Sequence, residues 1–243
     1  MFRKALKIVL LAGIVISSSC KEKSIRLAMI SGMNEKLDTA LYAPLLESLE
    51  NITWKVYNNR ESQELFKPEN TDKYDVILFY DICLEEFPEA SRQNLIKAVS
   101  GGKPVFILHD GLLTYNTWPE FAKIAGIKYF MSHQDVDGVE YGVSKYKHDV
   151  DIPVKVVDKK HFITQGIDES FLLHDEIYGK MWSSPEIHPL LVTDHPDSDP
   201  VIMYTHQYGK GKIVGIVPGH GPGIFRDKNF RIAFQRAILW LGR

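Results

Sequence analysis

The sequence predicts an α/β fold, a mostly parallel sheet with helices on both faces and extra strands toward its C-terminal end. Three observations predict it. Short apolar runs alternate with amphipathic stretches through the first half, which is the pattern of a parallel sheet wrapped by helices. The run Val105–Leu108 lies between a Gly/Pro breaker and His109-Asp110-Gly111, so it reads as a fully buried strand ending in a polar turn. Beyond residue 139 one extended segment follows another, and a single amphipathic stretch closes the chain.

The chain begins with Arg3, Lys4 and Lys7, then an apolar run from Ile8 to Ile16, then Ser17-Ser18-Ser19-Cys20. This is the layout of a secretory signal, and the run is too short for a comfortable membrane span. A cysteine directly after small residues resembles a bacterial lipoprotein signal. That resemblance implies Cys20 as the lipidated first residue of the mature chain, with the membrane as a partner and the cell envelope as its place, facing the periplasm or the cell surface. Ordinary secretion with cleavage nearby is the alternative. Residues 21–243 then make one domain, long enough to bury a real core.

The elements follow in order. Ile25–Ile30 is a strand, and Ser31-Gly32-Met33-Asn34 a turn. Leu37, Leu41, Leu45, Leu46 and Leu49 recur at helical spacing, which predicts a helix over 37–50. Ile52–Tyr57 alternates as a strand, and the polar stretch 58–73 reads as a loop with one helical turn. Tyr74–Tyr80 is a buried strand ending in Asp81. A helix over 90–100 stops at Gly101-Gly102, where glycine supplies the left-handed cap. After Val105–Leu108 comes a helix over 118–125. Residues 139–157 are extended, and further strands are predicted at 176–181, 190–193, 201–206 and 212–217. Tyr208-Gly209-Lys210-Gly211 is a hairpin turn between the last two. A helix over 230–241 ends the chain.

Composition is that of an ordinary globular protein, with 44% hydrophobic and 25% charged residues. The formal net charge of −2 includes the three basic residues of the signal, which leaves the rest of the chain near −5. No basic patch or arginine-rich helix appears, which argues against nucleic acid as a partner. Of two cysteines, Cys20 belongs to the signal, so Cys83 is unpaired and reads as a buried small apolar residue. Composition and spacing are silent on oligomeric state.

Three strands end in candidate functional residues: Tyr80 gives way to Asp81, Leu108 to His109 and Asp110, and Val217 to Pro218-Gly219-His220-Gly221. If these strands are parallel neighbours, their ends converge on one crevice. A fourth cluster, His174-Asp175-Glu176-Ile177-Tyr178, lies where it could cover the same opening. Histidine with carboxylate supports two chemistries, and both stay open. His109, Glu176 and His220 could hold a divalent metal such as zinc. Equally, His109 and His220 could move protons while Asp81, Asp110 and Glu176 orient them. No G-x-S-x-G elbow occurs, which argues against a serine nucleophile. Tyr115, Trp118 and Tyr178 are candidate sugar-packing aromatics, with core packing as the alternative for each.

Taken in register, Leu108-His109, Lys159-Lys160-His161-Phe162-Ile163-Thr164-Gln165-Gly166-Ile167, His174-Asp175-Glu176-Ile177-Tyr178, Tyr208-Gly209-Lys210-Gly211-Lys212, Gly219-His220 and Ile238-Leu239-Trp240 resemble the trehalose-utilisation (ThuA-like) family. The resemblance implies a flavodoxin-like fold similar to the class I glutamine amidotransferase domain. It implies carbohydrate chemistry on a disaccharide or its 3-keto derivative, of hydrolase or isomerase type, or a non-catalytic carbohydrate-binding or sensing role on the same fold. Glutaminase activity does not carry over, because His109 stands where the amidotransferase has its cysteine. The chain departs from the family after its first strand, where Gly32-Met33-Asn34 replaces a common histidine.

Overall fold

The computed structural model describes residues 24–32, 39–85 and 87–243. The signal segment with Cys20, the Met33-Asn34 turn and Leu37 lie outside the described residues. The strands in chain order are β1 (Ile25–Ser31), β2 (Ile52–Asn58), β3 (Val76–Phe79), β4 (Val105–Leu108), β5 (Ile127–Lys128), β6 (Gln134–Val136), β7 (Val139–Tyr141), β8 (Lys145–Val156), β9 (Ser170–Gly179), β10 (Trp182–Ser183), β11 (His188–Thr193), β12 (Val201–Tyr208) and β13 (Gly211–Ile216). The helices are α1 (Thr39–Leu46), α2 (Asn59–Leu65), α3 (Glu89–Ser100), α4 (Pro119–Ala125) and α5 (Lys228–Leu241).

Nine strands form one sheet in the order β2-β1-β3-β4-β13-β12-β11-β8-β9. From β2 to β13 neighbours run parallel; from β13 to β9 every pairing is antiparallel. The centre of the parallel half is apolar throughout, since β3 and β4 are buried at every position, as strands covered on both faces must be. On one face Phe106 of β4 meets Phe234 of α5 at 5.2 Å between ring centroids. On the other, Phe79 of β3 meets Phe121 of α4 at 5.1 Å.

Local sequence explains most boundaries. The helix expected over 37–50 stops at Leu46, where Ser48 and Leu49 donate their N–H groups to the carbonyls of Leu45 and Leu46 and tighten the last turn. The stretch 58–73 is more regular than expected: Asn58 and Glu61 form a reciprocal capping box that starts α2, and Pro68 opens a 3₁₀ turn to Lys73. Helix α4 ends at Gly126, whose φ of 84° gives the left-handed cap. The hairpin between β12 and β13 turns at Gly209-Lys210 as expected, with Tyr208 paired to Gly211.

The antiparallel half brings its outer edge back over the parallel half. Strand β9 is the far edge of the sheet, yet Asp175 on it bonds to the loop that follows β13. In β8 the register slips by one residue: Lys147 pairs with Ile177, but Val150 pairs with Asp175. Asp149 is the extra residue and takes a φ of 53°, making a β-bulge.

Candidate functional site

Strands β3, β4 and β13 are parallel neighbours with Phe79 beside Ile107 and Leu108 beside Ile216. Their carboxyl ends therefore open side by side, where open α/β sheets bind ligands. His109 is the first residue beyond β4 and sits at a φ of 47°, a conformation uncommon for a residue with a side chain. The loop beyond β13 comes close because Gly219 has no side chain: a Cβ there would lie 2.9 Å from His109 Cβ.

His109 is buried, 1% exposed, and its two ring nitrogens are distinguishable. Nδ1 lies 2.8 Å from the Val217 carbonyl, which can only accept, so Nδ1 carries a hydrogen. Nε2 then faces the site. Around it stand Tyr178 Oη at 3.1 Å, His220 Nδ1 at 3.3 Å, Glu176 Oε2 at 3.4 Å and Asp110 Oδ1 at 3.5 Å. Tyr178 donates its single hydroxyl hydrogen to Asp110 Oδ1 at 2.7 Å, and its ring stacks on His109 at 13°.

Glu176 Oε2 is the centre of the cluster. It lies 2.8 Å from His220 Nδ1, 3.3 Å from His148 Nδ1 and 3.4 Å from His109 Nε2. His148 arrives by register: continuing the pairing of Lys147 with Ile177 sets His148 opposite Glu176. The neighbouring Asp175 serves a different purpose. Its Oδ2 accepts from the N–H groups of Gly219 and His220, and its Oδ1 from that of Gly221 at 3.0 Å. Three consecutive amides on one carboxylate fix the loop that presents His220.

The electrostatics follow from this packing. Burial works against a charged His109, but the Glu176 bond, the Asp110 charge and the Val217 carbonyl outweigh it and raise its pKa above the ordinary histidine value. Burial also works against a charged Glu176, yet His109, His220 and His148 hold its pKa below the usual carboxylate range. Burial, with Asp110 and Glu176 nearby, keeps the Tyr178 phenol protonated far beyond neutral pH.

Two donor sets have their ligand atoms within 4.8 Å of one another: His109, Asp110 and His220, and His148, Glu176 and His220. A cavity of about 310 Å³ opens over them, with Asp110, His148, Glu176, Tyr178 and His220 among its lining and His109 buried beneath. A larger hollow of about 510 Å³ lies on the far side of Tyr146, lined by Lys145, Lys147, Lys180, Asp197 and Asp199. It holds no histidine, and its Lys147 pairs with Asp197 at 2.6 Å.

Not every expected residue reaches the cluster. Asp81 lies two residues past β3, but its carboxylate accepts from Ser31 Oγ at 3.0 Å and from the N–H of Ile82 at 2.8 Å, which ties its loop to the end of β1. Tyr115 and Trp118 are corrections to the sugar-packing expectation. Tyr115 is 1% exposed, donates its hydroxyl to Asn59 Oδ1 and packs on Phe87; Trp118 is 8% exposed and stacks on Phe121. Both are core residues, Tyr115 against Phe79 and Phe121 and Trp118 against Phe121. The ring of Tyr178 is likewise covered, and its hydroxyl is what enters the site. His148 and Asp175 are the additions. Cys83 is fully buried, and burial pushes its thiol up to about 12.

The sequence profile of the trehalose-utilisation (ThuA) family matches residues 29–241. The chain belongs to the ThuA family. A ThuA-like protein from Parabacteroides merdae is similar with a TM-score of 0.73 and 16% identity, over 90% of each chain. Another, from Bacteroides uniformis, has a TM-score of 0.68 and 15% identity, over 93% of this chain and 94% of that one. A GMP synthase protein from Thermoplasma acidophilum shares the fold with a TM-score of 0.52 and 11% identity, over 89% and 94%. This ThuA chain thus has the glutamine amidotransferase-like fold. Among curated proteins none matches.

Proposed function

We propose that this ThuA protein is a metal-assisted enzyme acting on a carbohydrate derivative, a disaccharide or keto-sugar glycoside, held at the cell envelope through Cys20. The observation that carries the reading is the gathering of three imidazoles around Glu176, in two donor sets that share His220, at the carboxyl end of the sheet. The donor set fits a zinc-class divalent cation. His109 has Nδ1 committed to a carbonyl, the arrangement that orients a ligating imidazole and leaves Nε2 for a metal. His148, His220 and Glu176 would complete the set, with neutral nitrogen and carboxylate oxygen donors suited to such an ion.

A divalent cation there would supply Lewis-acid polarisation of a sugar oxygen. The chain's own groups do the rest. Asp110 borders the cavity with 28% of its side chain exposed, and Tyr178 holds it by a hydrogen bond. It is placed to take a proton from substrate. Buried Tyr178 stays a phenol and orients that carboxylate rather than ionising. The hydrolase or isomerase classes both need such a base beside a polarised oxygen.

The test is metal analysis of the purified chain, followed by cobalt(II) addition to the chelator-stripped protein. One equivalent of bound metal and visible ligand-field bands are expected, lost in His220→Ala and weakened in His148→Ala. Asp110→Asn should keep the metal and lower turnover of keto-sugar glycosides, followed by proton NMR, by about 10²–10⁴-fold. A folded protein that takes up no stoichiometric metal overturns the metal reading.

A further inference from the structure

Part of the cavity lining differs in chemistry from the histidine and carboxylate cluster. Beside the histidine and carboxylate cluster, the described apolar and aromatic lining residues are Ile82, Leu113, Tyr129, Met131, Val143 and Tyr146. Tyr129 donates its hydroxyl to the Ser144 carbonyl, so it shows the cavity its ring. Among the described residues, the hydroxyl of Tyr146 is then the one polar side-chain group that these residues offer. Three of them also stand out in solvent: Met131 is 46% exposed, Val143 47% and Tyr146 60%. Exposed apolar side chains gathered at the rim of a pocket mark a surface that meets a ligand.

A second sugar ring could stack on Tyr129 or Tyr146, but its hydroxyls would find few side-chain partners there. Such a ring carries a hydroxyl on nearly every carbon, and each one stripped of water without a partner weakens binding. We infer that the substrate is a glycoside of an apolar alcohol, with its sugar at the histidine and carboxylate cluster and an aromatic or aliphatic aglycone against Tyr129, Met131, Val143 and Tyr146. This deepens the reading proposed above and rests on it for the position of the sugar. Within the glycosides named above, it narrows the class recognised to those with an aryl or alkyl aglycone.

The inference is tested with the full chain at saturating zinc, by calorimetric titration with methyl, hexyl, phenyl and glucosyl members of glucoside and galactoside series and their 3-keto forms. Phenyl and hexyl members should bind at least about tenfold more tightly than methyl or glucosyl members of the same series. Met131→Ser combined with Val143→Ser should remove that preference while leaving the metal content unchanged. Tighter binding of the disaccharides, equal binding across a series, or no binding of any phenyl or hexyl member overturns the inference. Metal stoichiometry in the same samples reports on the metal reading by itself, so a metal-free protein with an intact aglycone preference separates the two failures.

Discussion

His109 holds a left-handed backbone conformation that costs free energy, and its neighbours are arranged to exploit it. The turn swings Nδ1 onto the Val217 carbonyl and aims Nε2 at Glu176 and His220. Asp175 is the counterpart on the other side of the site, gripping three amides of the loop that carries His220. Asp175→Asn keeps the shape but removes the charge and one acceptor. Denaturant titration should show a loss of about 1–3 kcal/mol, and metal affinity should drop about 10–100-fold. Unchanged metal affinity would mean that the loop keeps its form without the carboxylate. At this scale the sequence was partly legible. His109, Asp110 and His220 could be read because each stands at or just past the end of an apolar strand. His148 could not, since nothing in its own neighbours hints at Glu176 across the hairpin. Tyr115 and Trp118 misled because an aromatic near a polar turn looks the same in sequence whether it faces a ligand or the core.

Elements were legible where apolar periodicity is strong and obscure where capping decides. Helix α2 is short and polar, Asn-Arg-Glu-Ser-Gln-Glu-Leu, so hydrophobic spacing alone misses it. The Asn58 and Glu61 pair is the signal that reveals it, an asparagine followed three residues later by a glutamate. Asn58→Ala should therefore lower stability by about 1 kcal/mol, measured by thermal or chemical unfolding. No change would show that packing of Leu65 and Phe66 holds the helix without its cap. Strand β9 likewise starts at Ser170, ahead of the strand expected at 176–181, although Phe171, Leu172 and Leu173 open it. Its first half alternates between exposed and covered positions, and the polar His174 obscures the strand in sequence.

For the whole molecule, the alternation of strands and helices in the first half was enough to specify a parallel sheet. The placement of β9 at the far edge was not, because strand order in the antiparallel half is set by long-range pairing. That order matters for the site, since Glu176 and Asp175 come from the edge strand and His109 and His220 from the centre. The site is complete only when both halves have folded. No helix among the described residues is long and apolar enough to cross a membrane; the proposed attachment is through Cys20. Cys20→Ala should release the protein from the membrane fraction of cells that express it, and mass spectrometry of the native N-terminal peptide should show an acyl mass on Cys20. A Cys20→Ala protein that stays with the membranes would refute the anchor.

The bulge at Asp149 changes how β8 counts against its partner. Toward Val156, even-numbered residues of β8 meet odd-numbered ones of β9, with Ile152 beside Leu173 and Val154 beside Phe171. Past the bulge even meets even, and Tyr146 stands beside Tyr178. Unbroken alternation from Ile152 would leave Tyr146 and His148 on the core side; the extra residue absorbs one step and turns both toward the site. Removing Asp149 would leave the pairs on either side in place and take out only the local bend. That one position can therefore be added or removed without exchanging a single partner across the strands. The length of β8 is accordingly a poor ruler of its pairing, and the place of His148 is found by counting across the ladder from Ile177.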